Sequence, residues 1–140
     1  MKSKICTTIE QSQKLIELGI DRNTADMYYP NRIGLDNYPL PIEWKIGLPL
    51  LSQEIPCWSL AALLNVLPNE IITDNRFECH YQINIRKYDG YDNTTLYQIA
   101  YGNDRGLSGS WHDMINSGEK ENLIDCCVQM ILTLHELNLL

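Results

Sequence analysis

FECHYQINIRKYDGYDNTTLYQIAY, residues 77–101, carries the pattern that decides the fold. Phe77, Cys79, Tyr81, Ile83 and Ile85 alternate with Glu78, His80, Gln82, Asn84 and Arg86. A period of two sends one set to each face of a β-strand, here one apolar face and one polar face. The turn-rich KYDGYDN (87–93) follows, and Thr94–Tyr101 then carries Tyr97, Ile99 and Tyr101 on a single face, so the stretch reads as a hairpin. Past it, GNDRGLSGS (102–110) leads to a third strand expected over Ser110–Ile115.

Toward the C-terminus the period changes. Over Glu119–Leu139, Ile124, Cys127, Val128, Ile131 and Leu134 or His135 recur at helical spacing, with Cys126, Met130 and Leu137 widening the stripe. Glu119 and Glu121 suit the positive end of such a helix's dipole. Strands with one apolar face need cover. The long helix is therefore expected over Tyr81, Ile83 and Ile85.

Toward the N-terminus, CWSLAALLNVLP (57–68) reads as a buried helix over 58–67, through Leu60, Ala61, Leu63, Leu64 and Leu67. Residues 30–56 hold five of the six prolines and read as connector with one short edge strand, Glu43–Ile46. Residues 7–18 read as an amphipathic helix with a Thr7/Glu10 capping box and Gly19 beyond its end, followed by a short helix at Asn23–Tyr28. The expectation is one α+β domain: an antiparallel sheet of three to five strands, covered by a long C-terminal helix and a buried central helix.

Composition narrows the function. The 140 residues carry 11 basic and 18 acidic side chains, net −7, with no basic stripe. A phosphate backbone has little here to release its counterions against, so direct nucleic-acid binding is disfavoured and a protein partner is favoured. No apolar run approaches the ~18 residues of a membrane span, and the N-terminus has no apolar block of signal-peptide length. That reads as a cytoplasmic chain without a membrane partner. Its five cysteines (Cys6, Cys57, Cys79, Cys126, Cys127) are odd in number and lack CxxC spacing, so they are expected as reduced thiols.

Cys57 is the sharpest chemical candidate. It stands at the expected start of the 58–67 helix, where free N–H groups depress a thiol pKa, and His80 follows on a strand. This layout loosely resembles papain-like and cell-wall peptidases, but IPCWSL lacks the glycine-bearing motif that papain-like enzymes place around their cysteine. The reading preferred on that ground has no catalytic residue and an inert, packed Cys57. A metal set from Cys79, His80, His112 and His135 fails on spacing, since adjacent strand residues face opposite ways. GNDRGLSGS fits neither the phosphate-loop nor the dinucleotide pattern, which leaves no cofactor motif. KLIELGIDRNTADMYY (14–29) has the outline of a helix-turn-helix, but its second helix offers Arg22 as sole base. Tyr28, Tyr29, Trp44, Trp58, Tyr88, Tyr91 and Trp111 include aromatics in polar loops, a composition that suits protein contacts.

TTIEQSQKLIELGIDRNTADMYY (7–29), IPCWSLAALLNVLP (55–68) and LIDCCVQMILTLHELNLL (123–140) together resemble small uncharacterised proteins encoded in gut Bacteroides genomes and their phages or other mobile elements. The group has no established activity, so the resemblance carries over no catalytic residue and implies an intracellular accessory role. The order helix, sheet, C-terminal helix is also similar to small phage sandwich domains, a fold-level analogy. Three functions are expected in this order: a non-enzymatic accessory or interaction protein, a cysteine-dependent hydrolase or transferase using Cys57 and His80, and an acidic decoy for a DNA-binding protein. The decoy ranks last because its carboxylates are scattered among bases.

Overall fold

A computed structural model describes residues 4–30, 42–43, 54–74, 79–104 and 110–140. The chain is α+β, with two antiparallel sheets and three α-helices among the described residues. It divides into two units, Met1–Val66 and Leu67–Leu140.

The first unit opens with helix α1, Ile9–Glu17. Its capping box is made by Thr8 and Gln11, one residue later than the expected Thr7/Glu10 pair: Thr8 Oγ1 accepts from the Gln11 N–H and Gln11 Oε1 accepts from the Thr8 N–H, both at 3.1 Å. Thr7 is not free to cap. Its N–H donates to Trp58 O at 2.9 Å and its Oγ1 accepts the Trp58 N–H at 3.0 Å. Gly19, at φ +90, closes the helix in the left-handed conformation that glycine adopts without strain.

No helix forms over 23–28. Asp21 instead caps a 3₁₀ turn, Arg22–Thr24, and the chain then extends into β1, Met27–Tyr29. Tyr29 precedes Pro30, which pushes it away from helical dihedrals. Strands β2, Ile42–Glu43, and β3, Ile55–Cys57, both pair antiparallel with β1, in the order β2-β1-β3. Residues 44–46 of the expected edge strand lie outside the described residues. Helix α2, Leu60–Val66, starts later than residue 58 because the Trp58 backbone is paired with Thr7. Ala62 and Leu63 are buried in it, but Ala61 is exposed and Leu60 and Leu64 are half-buried, so less of it is covered than its composition predicts.

The second unit holds β4, Glu70–Ile72; β5, His80–Asp89; β6, Thr95–Asp104; β7, Trp111–Asn116; and helix α3, Leu123–Glu136. The four strands are antiparallel in the order β4-β5-β6-β7. The hairpin, a third strand and a C-terminal helix form as the sequence predicts, but α3 runs from Leu123 to Glu136 rather than over Glu119–Leu139, so Glu119 and Glu121 lie ahead of its first turn, where Asp125 stands instead. β4 was not anticipated, and β5 runs on to Asp89 because Lys87, Tyr88 and Asp89 complete the ladder against Tyr97, Leu96 and Thr95. Residues 75–78 lie outside the described residues, so the expected start at Phe77 does too.

Asn122 caps α3 by accepting the Asp125 N–H at 2.8 Å. The helix packs on β6 and buries Ile124, Cys126, Cys127, Val128, Met130, Ile131 and Leu134. Its cover is narrower than expected. Ile85 lies directly across from Ile99 on the same face, yet Ile99 is fully buried and Ile85 is 47% exposed. A single helix spans about 10 Å and strands are about 4.8 Å apart, so one helix over β6 does not reach all of β5. Leu137, expected in the stripe, is also exposed.

Candidate functional site

Cys57 ends β3 and lies outside α2, so a helix terminus does not activate its thiol. Its hydrogen bond with Cys6, its burial and the nearby Asp26 carboxylate all push that thiol's pKa up. His80 begins β5, with Nδ1 3.0 Å from Glu70 Oε1. Cys57 belongs to the first unit and His80 to the second, and each of these contacts lies within its own unit. Of the other residues set aside as a metal set, Cys79 is half-buried, while His112 and His135 are exposed on β7 and α3. Among the described residues, no group of three His, Cys, Asp or Glu side chains is placed to hold a metal ion. The loop 105–109 and Trp44 lie outside the described residues.

Two places concentrate chemistry. The first is a polar cluster inside the first unit. Asp26 receives both donors of Ser59: the N–H reaches Oδ1 at 2.9 Å and the hydroxyl reaches Oδ2. Ser59 Oγ in turn accepts the Ala62 N–H at 3.3 Å, so one serine caps α2 and ties it to Asp26. The Trp58 indole N–H donates to Thr24 Oγ1 at 2.9 Å. The Tyr29 hydroxyl donates to Thr7 O at 2.8 Å and stands 3.6 Å from Cys6 Sγ. The chain thus pairs or caps buried groups that would each cost about 1–3 kcal/mol if left unsatisfied. Cys6 is the only thiol here with a lowered pKa, to about 7. The Cys57 hydrogen bond is the main cause, helped by Tyr29 and by the charge of Lys4, against its own burial and Asp26.

The second place is the hairpin of the second unit. Gly90 N–H donates to Thr94 O at 2.6 Å and encloses a 3₁₀ turn, Tyr91–Asn93. Asp92 and Asn93 take φ +62 and +59, a left-handed pair that these short polar side chains tolerate better than others. Tyr91, at the tip, is 96% exposed. Behind the tip, the polar face of the sheet carries an ordered network. Arg86 clamps Asp113 through both terminal nitrogens at 2.9 and 2.5 Å, and also donates to Gln98 at 3.1 Å and Asn84 at 3.0 Å. Trp111 Nε1 donates to Asp113 at 2.7 Å while its ring lies against Gly102, where any Cβ would come within 2.7 Å of that nitrogen. The clamp holds the Asp113 carboxyl below its ordinary range. These groups satisfy one another, so the network stiffens the sheet.

The sequence identified Tyr91 as a loop aromatic and Cys57 as a thiol of interest. It missed Asp26, Thr7, Tyr29 and Cys6 as one cluster. The partners are separated by 22 to 51 residues, and no period or motif connects them. No family model, curated protein or solved structure matches the chain. No helix among the described residues is long and apolar enough to cross a membrane.

Proposed function

We propose that this protein is a non-enzymatic accessory that works inside the cell by contacting another protein, in the manner of the phage and mobile-element proteins it resembles, and that the β5–β6 hairpin tip makes the contact. The observation that carries this reading is Tyr91, a 96% exposed tyrosine on a turn held by two left-handed residues. A tyrosine so placed offers a large apolar ring and a polar end at small entropic cost, which is why tyrosines recur as interface anchors. The partner is a cationic surface with a pocket for the ring. Asp89 and Asp92 flank the tip, and the second unit holds 11 of the 18 acidic and 5 of the 11 basic residues, net −6 against −1 for the first. Opposite charge speeds encounter and fixes orientation.

The test compares the parent with Tyr91→Ala as bait in extracts of the native host, after circular dichroism has shown that both are folded. A basic protein retained by the parent at low salt, released as salt rises and lost with Tyr91→Ala supports the reading. Identical capture by both baits, or retention insensitive to salt, overturns it.

A further inference from the structure

Alternate residues of an antiparallel strand send both of their backbone polar groups to the same side. In β5 the sides are fixed at both ends: the Ile83 N–H donates outward to Asn69 O at 3.2 Å, and the Gly90 N–H turns inward to Thr94 O. Asn84, Arg86 and Tyr88 therefore bond to β6 opposite Ala100, Gln98 and Leu96, while Ile85, Lys87 and Asp89 point their groups away from it. β4 covers that outer edge only at residues 80–82. Among the described residues, nothing accepts the Ile85 or Lys87 N–H and nothing donates to their carbonyls. We propose that this edge, residues 84–89, takes up an extended segment of a different protein as an added strand.

The side chains along the edge define the segment. Ile85 is 47% exposed because α3 packs on β6 and stops short of β5. A strand added beyond β5 stands one further spacing of about 4.8 Å from the helix, so its residue beside Ile85 covers that side chain from the open side. Lys87 leaves the same face, is exposed, and makes no ion pair among the described residues. It calls for a carboxylate on the facing residue, two positions along. The segment is thus one that alternates, apolar beside Ile85 and acidic beside Lys87. Main-chain bonds supply its affinity and these alternate side chains its specificity.

A second copy of this chain fits the edge poorly. Asn69 closes it before residue 84 and the turn begins at Gly90, so two β5 strands would have to pair about the midpoint between those limits. That register sets Lys87 directly opposite the second copy's Lys87, and like charges so placed destabilise the pairing. A lysine in the middle of an edge strand is a recurrent guard against self-association. A different chain with an acid at that position meets no such barrier. The edge lies behind the turn, and its pairing is independent of the Tyr91 contact.

The probe is a blocked synthetic peptide of alternating valine and threonine in which one central valine is replaced by glutamate. Amide hydrogen exchange of the full chain is followed by NMR with and without it. Without peptide, the Ile85 and Lys87 N–H groups should exchange faster than those of Asn84 and Arg86. With peptide at about ten times its Kd only the ~10% unbound fraction exchanges, so Ile85 and Lys87 should slow about tenfold and Asn84 and Arg86 much less. N-methylating every second peptide residue should abolish the effect in one frame and spare it in the other. Lys87→Glu should weaken the glutamate peptide by up to about fivefold and favour a lysine peptide in its place. Ile85 and Lys87 amides that are already as slow as those of Asn84 and Arg86 overturn the proposal. So does protection spread evenly over odd and even residues, or no response at millimolar peptide. A dimer in sedimentation whose formation protects the same amides assigns the edge to a second copy and overturns it equally.

Discussion

The two units are held together by different kinds of bond. In the second, long ladders and one apolar helix do the work: β5 and β6 pair over eight residues, and α3 buries seven side chains. In the first, strands of two or three residues are fastened by side chains distant in sequence, Thr7 to Trp58, Asp26 to Ser59 and Thr24 to the Trp58 indole. The second unit spreads its stability over many equivalent contacts. The first concentrates it in a few polar groups, each costly to orphan. Buried polar side chains follow the same division, gathered inside the irregular unit, while the most exposed aromatic, Tyr91, stands at the end of the regular one.

The largest expected effect belongs to the regular unit's core. Ile131→Ala removes a fully buried side chain and should lower stability by about 2–5 kcal/mol, read as a drop in the urea midpoint. An Ile131→Ala variant as stable as the parent would mean that α3 is not the cover of β6. Next comes the polar cluster. Thr7→Val keeps shape but strips the oxygen that accepts the buried Trp58 N–H, and should cost about 1–3 kcal/mol by the same melt. A neutral Thr7→Val would break the contrast between the units, since the first would then not depend on its polar ties.

Smaller effects sharpen the comparison at the surface. Arg86→Met breaks the clamp on Asp113, whose side chains are 31% and 23% exposed, and should cost about 1 kcal/mol or less because solvent screens such pairs. The sign with pH follows from the depressed Asp113 pKa. The pair's contribution is complete above the ordinary carboxyl value of 3.8 and disappears as pH falls through the lower folded value. The difference in Tm between parent and Arg86→Met should therefore persist at neutral pH and vanish in acid. A difference that survives at the lowest pH would assign the effect to packing of the arginine stem. Smallest of all, Glu136→Ala on the exposed end of α3 should shift stability by less than about 0.5 kcal/mol in the same urea series.

The hairpin and α3 were legible in the sequence because periods of two and 3.6 are local signals, carried by consecutive side chains such as Tyr81 to Ile85 and Ile124 to Ile131. Tyr91 was legible as a loop aromatic for the same reason, since its neighbours are turn formers. The extent of cover was not. Ile83 and Ile85 follow the same alternation, yet only tertiary packing decides which of them a single helix reaches.

What the sequence by itself determined is therefore the class and the regular half: α+β, an antiparallel hairpin-centred sheet, and a C-terminal helix with its buried stripe. The tertiary structure alone decided the rest. Thr7 could have capped α1, and Trp58 could have begun α2, by every local rule. Each instead spends its backbone and hydroxyl groups on the other, 51 residues away. Cys6 and Tyr29 are unremarkable along the chain, 23 residues apart, and only the tertiary structure brings the thiol within 3.6 Å of the hydroxyl. The physical reason is common to all of these. Hydrogen bonds between distant segments are worth making only once the chain has closed the loop between them, and no pattern of neighbouring residues records that choice.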